Sequence, residues 1–84
     1  MSEQQVGTVT HYFGHLGVAA IRLSADLAVG DKLHIVGHTT NLTADVDSMQ
    51  IEHASVERAG AGQSIGMKVP GHVREHDKVF KVTP

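Results

Sequence analysis

The chain is built from short runs of β-branched and aliphatic residues in which apolar and polar side chains alternate, and glycine closes off run after run. Lys32-Leu33-His34-Ile35-Val36 is the clearest. Leu33 and Ile35 fall on one face and Lys32 and His34 on the other, the two-residue period of a half-buried strand. The stretch 64–69 repeats it, with Ile65, Met67 and Val69 inward. Further strands are read over 6–13, 18–24, 42–53 and 78–82, with turns at Gly14 and Gly17, at Gly30, and at Pro70-Gly71. In 42–53 the inward parity changes: Leu42, Ala44 and Val46 share one, Met49 and Ile51 the other. That break predicts a β-bulge near Asp47-Ser48. Residues 54–63 read as a connection with room for one helical turn. No segment holds a 3.6-residue apolar period over three turns, so no long helix is expected. Val29-Gly30-Asp31-Lys32-Leu33 and Glu75-His76-Asp77-Lys78-Val79 echo one another as a tight turn feeding a strand. So many strands in 84 residues leave edges to hide. The economical arrangement is all-β: a small closed antiparallel barrel of six to seven strands, one domain over 1–84.

A chain of this length buries only about 60% of its unfolded surface. A shallow site, or one shared with a partner, is therefore expected rather than a deep cleft. There is no cysteine, which excludes disulfides and thiolate metal sites. The opening residues MSEQQVGTV carry neither a basic patch nor an apolar run, and no stretch approaches the roughly 20 apolar residues of a membrane span. A cytoplasmic protein with no membrane partner is expected. Asn41-Leu42-Thr43 matches a glycosylation acceptor, which means little without a secretory signal. The formal charge is −2, with seven Lys and Arg scattered along the chain, which argues against a strong grip on phosphates. Seven protonated histidines would carry it from −2 to +5, so charge-driven binding should strengthen as pH falls.

Several motifs resemble chemistry but lack its context. Gly62-Gln63-Ser64-Ile65-Gly66 fits the G-x-S-x-G nucleophile elbow, yet that motif works at a strand-to-helix turn, and a strand follows Ser64 here. His72-Val73-Arg74-Glu75-His76 fits a zinc-peptidase pattern that requires a helix to bring both histidines to one metal. Here Pro70-Gly71 precedes it and a strand follows. His11/His15, His34/His38 and His72/His76 are spaced four apart, about 13 Å along an extended strand, too far to share a metal. Gly60-Ala61-Gly62 begins a dinucleotide fingerprint that Ile65 interrupts, and no phosphate loop occurs, so no nucleotide hydrolysis is expected. No catalytic residue, cofactor or metal is assigned, and the chain is read as not an enzyme. His11, Tyr12, His15, Arg22 and Arg74 are the candidate binding residues, with Lys68 a further polar candidate. Tyr12, beside His11 and His15, is the one aromatic placed to stack on a base or a partner side chain.

The order VGTVTHYFGHLGVAAIRL, LAVGDKLHIVGHTT, VDSMQIEHASVERAGAGQSIGMKV, REHDKVFKV resembles the second, β-barrel domain of elongation factor Tu and its relatives over about residues 6–82. Ala59-Gly60-Ala61-Gly62 and Ile65-Gly66-Met67 sit where that pattern places its turn and following strand. The resemblance is strongest to short, free-standing elongation-factor-like proteins; similar barrels also occur as appendages of collagenase-like peptidases. His76 stands where the final turn of that family carries glycine, which predicts a rebuilt turn. The GTPase and third domains are missing, and no RNA-contacting residue can be matched. The resemblance implies a non-catalytic binding module that contacts transfer RNA or a translation or RNA-modification partner. The alternative is a protein-interaction or homo-oligomerisation domain unrelated to RNA.

Overall fold

The alternation seen in the sequence sorts the side chains as expected in the computed structural model, which describes residues 2–83. Leu33, Ile35, Ile65 and Met67 are buried while Lys32, Ser64 and Lys68 face out. Ten strands form: β1 (Ser2–Phe13), β2 (Val18–Leu23), β3 (Leu27–Ala28), β4 (Lys32–Val36), β5 (Asn41–Asp45), β6 (Met49–Ile51), β7 (Ala54–Val56), β8 (Arg58–Ala59), β9 (Ser64–Lys68) and β10 (Lys78–Thr83). Eight of them make one sheet in the order β5-β4-β10-β1-β2-β9-β6-β7, and β3 pairs with β8. Every pairing is antiparallel.

The expectation of six to seven strands is corrected. The strand number is ten, because the stretch read as one strand over 42–53 divides into β5 and β6, the connection read over 54–63 contains β7 and β8, and the turn before Lys32 contains β3. β3, β7 and β8 are two or three residues long, too short for an alternation pattern to register. Among the described residues no ladder joins β5 to β7, the two ends of the sheet order. No helix among the described residues is long and apolar enough to cross a membrane.

The bulge expected near Asp47-Ser48 is also corrected. The parity change there is real, but its cause is a change of partner. β5 pairs with β4 at one end of the order, and β6 pairs with β9 and β7 at the other. Val46 turns into the core between them, its N–H donating to Asp31 O at 2.9 Å and its carbonyl accepting from Gly30 N at 2.8 Å. The bulges lie instead in β1, between Gln5 and Gly7 and between Val9 and His11. They let one long strand bend past two neighbours.

One core gathers Val6, Val9, Ile21, Leu23, Leu33, Ile35, Met49, Ile65, Val73 and Val79. Each such side chain contributes about 1.5–3 kcal/mol on burial.

Three turns share a single construction. In Ala28–Asp31, Gly60–Gln63 and Arg74–Asp77, the fourth residue donates its backbone N–H to the first carbonyl (3.1, 3.1 and 3.2 Å). Its side-chain oxygen in turn accepts the first residue's N–H (2.9, 2.7 and 2.8 Å). The third residue has positive φ each time: Gly30 at 99°, Gly62 at 88° and His76 at 73°. The echo read in the sequence is thus a repeated device, with Gln63 standing in for aspartate in a third copy. The rebuilding expected at His76 does not occur; the histidine adopts the left-handed conformation itself.

Candidate functional site

Strand alternation decides where the sequence candidates point. His11 lies opposite Ala20 and faces outward, whereas Tyr12 lies opposite Ala19 and packs partly against the core. Tyr12 meets the His72 ring edge-on, centroids 4.6 Å apart. His11 instead meets Phe13, two residues on and on its own face, at 4.4 Å, and its Nδ1 is 3.4 Å from Glu75. His15 is exposed in the turn held by Leu16 N and Gly17 N donating to Phe13 O. Arg22 is exposed on β2 between Thr8 and Ser64. Arg74 is exposed in the turn closed by Asp77, and Lys68 pairs with Val18. These residues do not assemble into one platform, because consecutive positions on β1 belong to opposite faces.

His34 sits between two polar partners. Its Nε2 is 2.6 Å from Asn41 Oδ1 and its Nδ1 3.0 Å from the Glu3 carboxylate. The Asn41 hydrogen bond, then that to Glu3, raises its pKa above the ordinary 6.5. Among the described residues, no group of three or more His, Cys, Asp or Glu is placed to hold a metal ion.

Three surface concavities stand out among the described residues. One, about 440 Å³, is lined by Asp26, Asp31, Arg58 and Lys81 with Leu27, Ala28 and Ala59. Lys81 Nζ already lies 3.9 Å from Asp31 and 3.4 Å from Asp26 O, so part of its charge is satisfied internally. A second, about 400 Å³, lies beside Asp45, Asp47 and Lys68. The third, also about 400 Å³, is the most distinctive. Its floor is the outward face of β2 and β9, where Val18, Ala20 and Gly66 keep the surface low. One side is Phe13 at the end of β1 and Leu16 of the β1–β2 turn; the other is Gln50, Glu52 and His53 from the β6–β7 hairpin. Phe13 is 45% and Leu16 66% exposed, two of the three large apolar side chains that face solvent among the described residues. Glu52 and His53 both have positive φ, 50° and 67°. A two-residue hairpin turn of this kind normally carries Asn-Gly, so the tip holds backbone strain beside the groove. Ser64 of the elbow-like motif lines this groove as well, within strand β9 rather than at a strand-to-helix turn.

Sequence reasoning missed Phe13, Leu16, Glu52 and His53. Phe13 and Leu16 did carry a signal, being large apolar residues in a glycine turn where polar ones are the rule.

No protein-family model matches the chain. It is 40% identical over 77 residues to an uncharacterized protease of Methanocaldococcus jannaschii, covering 90% of this chain and 19% of that protein. It is 37% identical over 78 residues to a collagenase of Porphyromonas gingivalis, covering 90% of this chain and 22% of the collagenase. The chain therefore spans about a fifth of the length of these curated relatives. Two solved structures of the C-terminal domain of a Geobacillus thermoleovorans protein assigned as a U32 peptidase share the fold. Their TM-scores are 0.86 and 0.89, each at 19% identity. The first match covers 90% of this chain and 96% of that one, the second 95% and 93%.

These findings overturn the resemblance to elongation factor Tu domain 2 and the translation-factor-like module drawn from it. The transfer RNA expectation rested on that resemblance. They also overturn the reading of a chain outside enzymology, since the relatives are named protease and collagenase. The physical reason is that the residues carrying the resemblance, such as Gly30, Gly60, Gly62, Ile65 and Met67, are turn and core residues. They specify a β architecture that unrelated functions share.

Proposed function

We propose that this chain acts in polypeptide hydrolysis as the counterpart of the β-rich C-terminal domain of U32-type peptidases. The observation that carries this reading is 37–40% identity to a protease and a collagenase over nine-tenths of the chain. The close likeness of fold to a U32 peptidase's C-terminal domain supports it. Because the match occupies about a fifth of those relatives, the reading gives the chain the part of one domain within a larger peptidase assembly. Within it the sheet curls toward a barrel, supported by the burial of Ala44 of β5 and Met49 of β6, near opposite ends of the strand order, in one core. A cytoplasmic setting is part of the proposal, and the cysteine-free composition is compatible with a reducing compartment.

The test is a chimera of the Porphyromonas gingivalis collagenase in which this chain replaces the matching 78-residue segment, compared with the intact enzyme and with a deletion of the segment. Gelatin cleavage by the chimera is expected within about tenfold of the intact enzyme, a loss of about 1.4 kcal/mol in transition-state stabilisation. A chimera that is folded by circular dichroism yet no more active than the deletion overturns the reading.

A further inference from the structure

We infer that the slot between β5 and the end of β9 takes one extended segment of the polypeptide substrate as an added strand, held mainly through its backbone. That the segment belongs to a substrate rests on the peptidase reading above; the slot itself is argued from the hydrogen-bond phase of its two banks.

In an antiparallel pair, residues whose N–H and C=O face the partner alternate with residues whose groups face away. The β4–β5 pair is phased at both ends: Gly37 N donates to Thr40 O at 2.8 Å, and Val46 N to Asp31 O at 2.9 Å. Between these bonds Leu42 and Ala44 direct their backbone groups at β4, while Asn41, Thr43 and Asp45 direct theirs away from it. β9 is phased against β2 in the same manner, with Val69 N donating to Gly17 O at 2.9 Å and Leu23 N to Gln63 O at 2.8 Å. Lys68 therefore directs its backbone groups away from β2. Among the described residues β5 has no ladder on its outer side, and β9 has only the Gln50–Gly66 bridge. The concavity of about 400 Å³ lies between these two edges, with Thr43, Ala44 and Asp45 on one bank and Lys68, Val69 and Pro70 on the other. Unpaired main-chain donors and acceptors on both banks are the complement of an extended polypeptide, which offers the same groups along both of its edges.

Two banks admit a single strand. A second copy of this chain would bring its β5 with β4 already attached to one edge, and the far bank stands where that attached strand would lie. The occupant is therefore a free segment rather than the edge of another sheet. β5 and β9 run antiparallel to each other through the strand order, so a guest antiparallel to β5 is parallel to β9. The guest residue opposite Ala44 points inward, where the small, buried alanine leaves room for an aliphatic side chain. Its neighbours point outward among Asp45 and Asp47, balanced by Lys68 and by Lys32 opposite Asp45. His34, opposite Thr43, is already engaged by Asn41 and Glu3. With the charges balanced, the favoured segment is an aliphatic residue flanked by uncharged polar ones.

The uniformly ¹⁵N-labelled chain is titrated with acetyl-Thr-Gln-Thr-Val-Thr-Gln-amide, and amide exchange is followed. In the free chain the Thr43 and Asp45 amides are expected to exchange faster than those of Leu42 and Ala44, and bound peptide should slow them. The same peptide N-methylated on the two threonines beside valine lacks the donors that face β5 and should bind about tenfold or more weakly. Thr43→Pro removes an N–H that β4 does not use, at an edge where proline is tolerated, and should weaken binding about as much. If that variant does not fold, the N-methylated peptide decides alone. No slowing at roughly 1 mM peptide, slowing confined to another edge, or equal binding of the N-methylated peptide overturns the slot. So does protection of Thr43 and Asp45 that grows with protein concentration without peptide, which would mark a second copy as the occupant. Peptide binding in a chimera that cleaves no gelatin sinks the peptidase reading and leaves the slot. Undiminished cleavage by a folded Thr43→Pro chimera sinks the substrate assignment and leaves the peptidase reading.

Discussion

Asp77 is only 4% exposed, and its Oδ2 accepts the Arg74 N–H at 2.8 Å. A Cβ placed on Gly37 would collide with its Oδ1. Gly37 is thus required by a close approach rather than by backbone dihedral freedom, and the β4–β5 turn can pass over the buried carboxylate only without a side chain there. Gly37→Ala is expected to cost about 1–3 kcal/mol, read as a lower urea midpoint with an unchanged slope. The His34 imidazole is the second residue with a predictable role. With both nitrogens donating, to Asn41 and to Glu3, the folded state favours the imidazolium. Its folded pKa lies above the unfolded 6.5. The stabilisation is therefore complete below pH 6.5 and fades as pH rises through the folded value. His34→Gln should flatten the fall in thermal stability above pH 6.5, and the His34 ring protons should titrate above those of an unfolded control. A flat profile in the wild-type chain would count against it.

At the level of elements, the recurring unit is the turn whose last side chain closes back on its first N–H. Two copies use Gly at the positive-φ position; the third uses His76 at 73°. A non-glycine residue in this region costs roughly 1–2 kcal/mol, and glycine gives back part of that in chain entropy. His76→Gly should therefore raise stability by about 0.5–1 kcal/mol, measured as a higher melting temperature. The main strands were legible because each is five or more residues long, enough for a two-residue period to show over at least part of it. β3, β7 and β8 were not, because two or three residues carry no period. The turn echo was legible in Gly30-Asp31 and His76-Asp77, while the third copy was hidden by Gln63, whose longer side chain makes the same bond.

Across the whole molecule, β1 and β10 bring the two ends of the described chain together, with Ser2 opposite Thr83 and their hydroxyls 2.6 Å apart. The chain that leaves β5 travels to the far end of the sheet order to form β6. The groove is a product of this routing. Its floor comes from β2 and β9, whose partners lie 42 to 50 positions apart, and its far wall from a hairpin that pairs with β9 at Gln50–Gly66. None of its residues is adjacent in sequence to the opposite wall.

What the sequence by itself determined is the all-β class, the faces of the longer strands, the turn positions and most of the core. These depend on local rules, namely alternation, glycine's access to positive φ and the burial of aliphatics. Only the tertiary structure decided which strands are neighbours, why the parity changes at 46–48, and that Phe13 and Leu16 face Glu52 and His53 across a floor kept low by Gly66. Pairing across a sheet is set by non-local packing, and a pattern confined to neighbours along the chain carries no record of it.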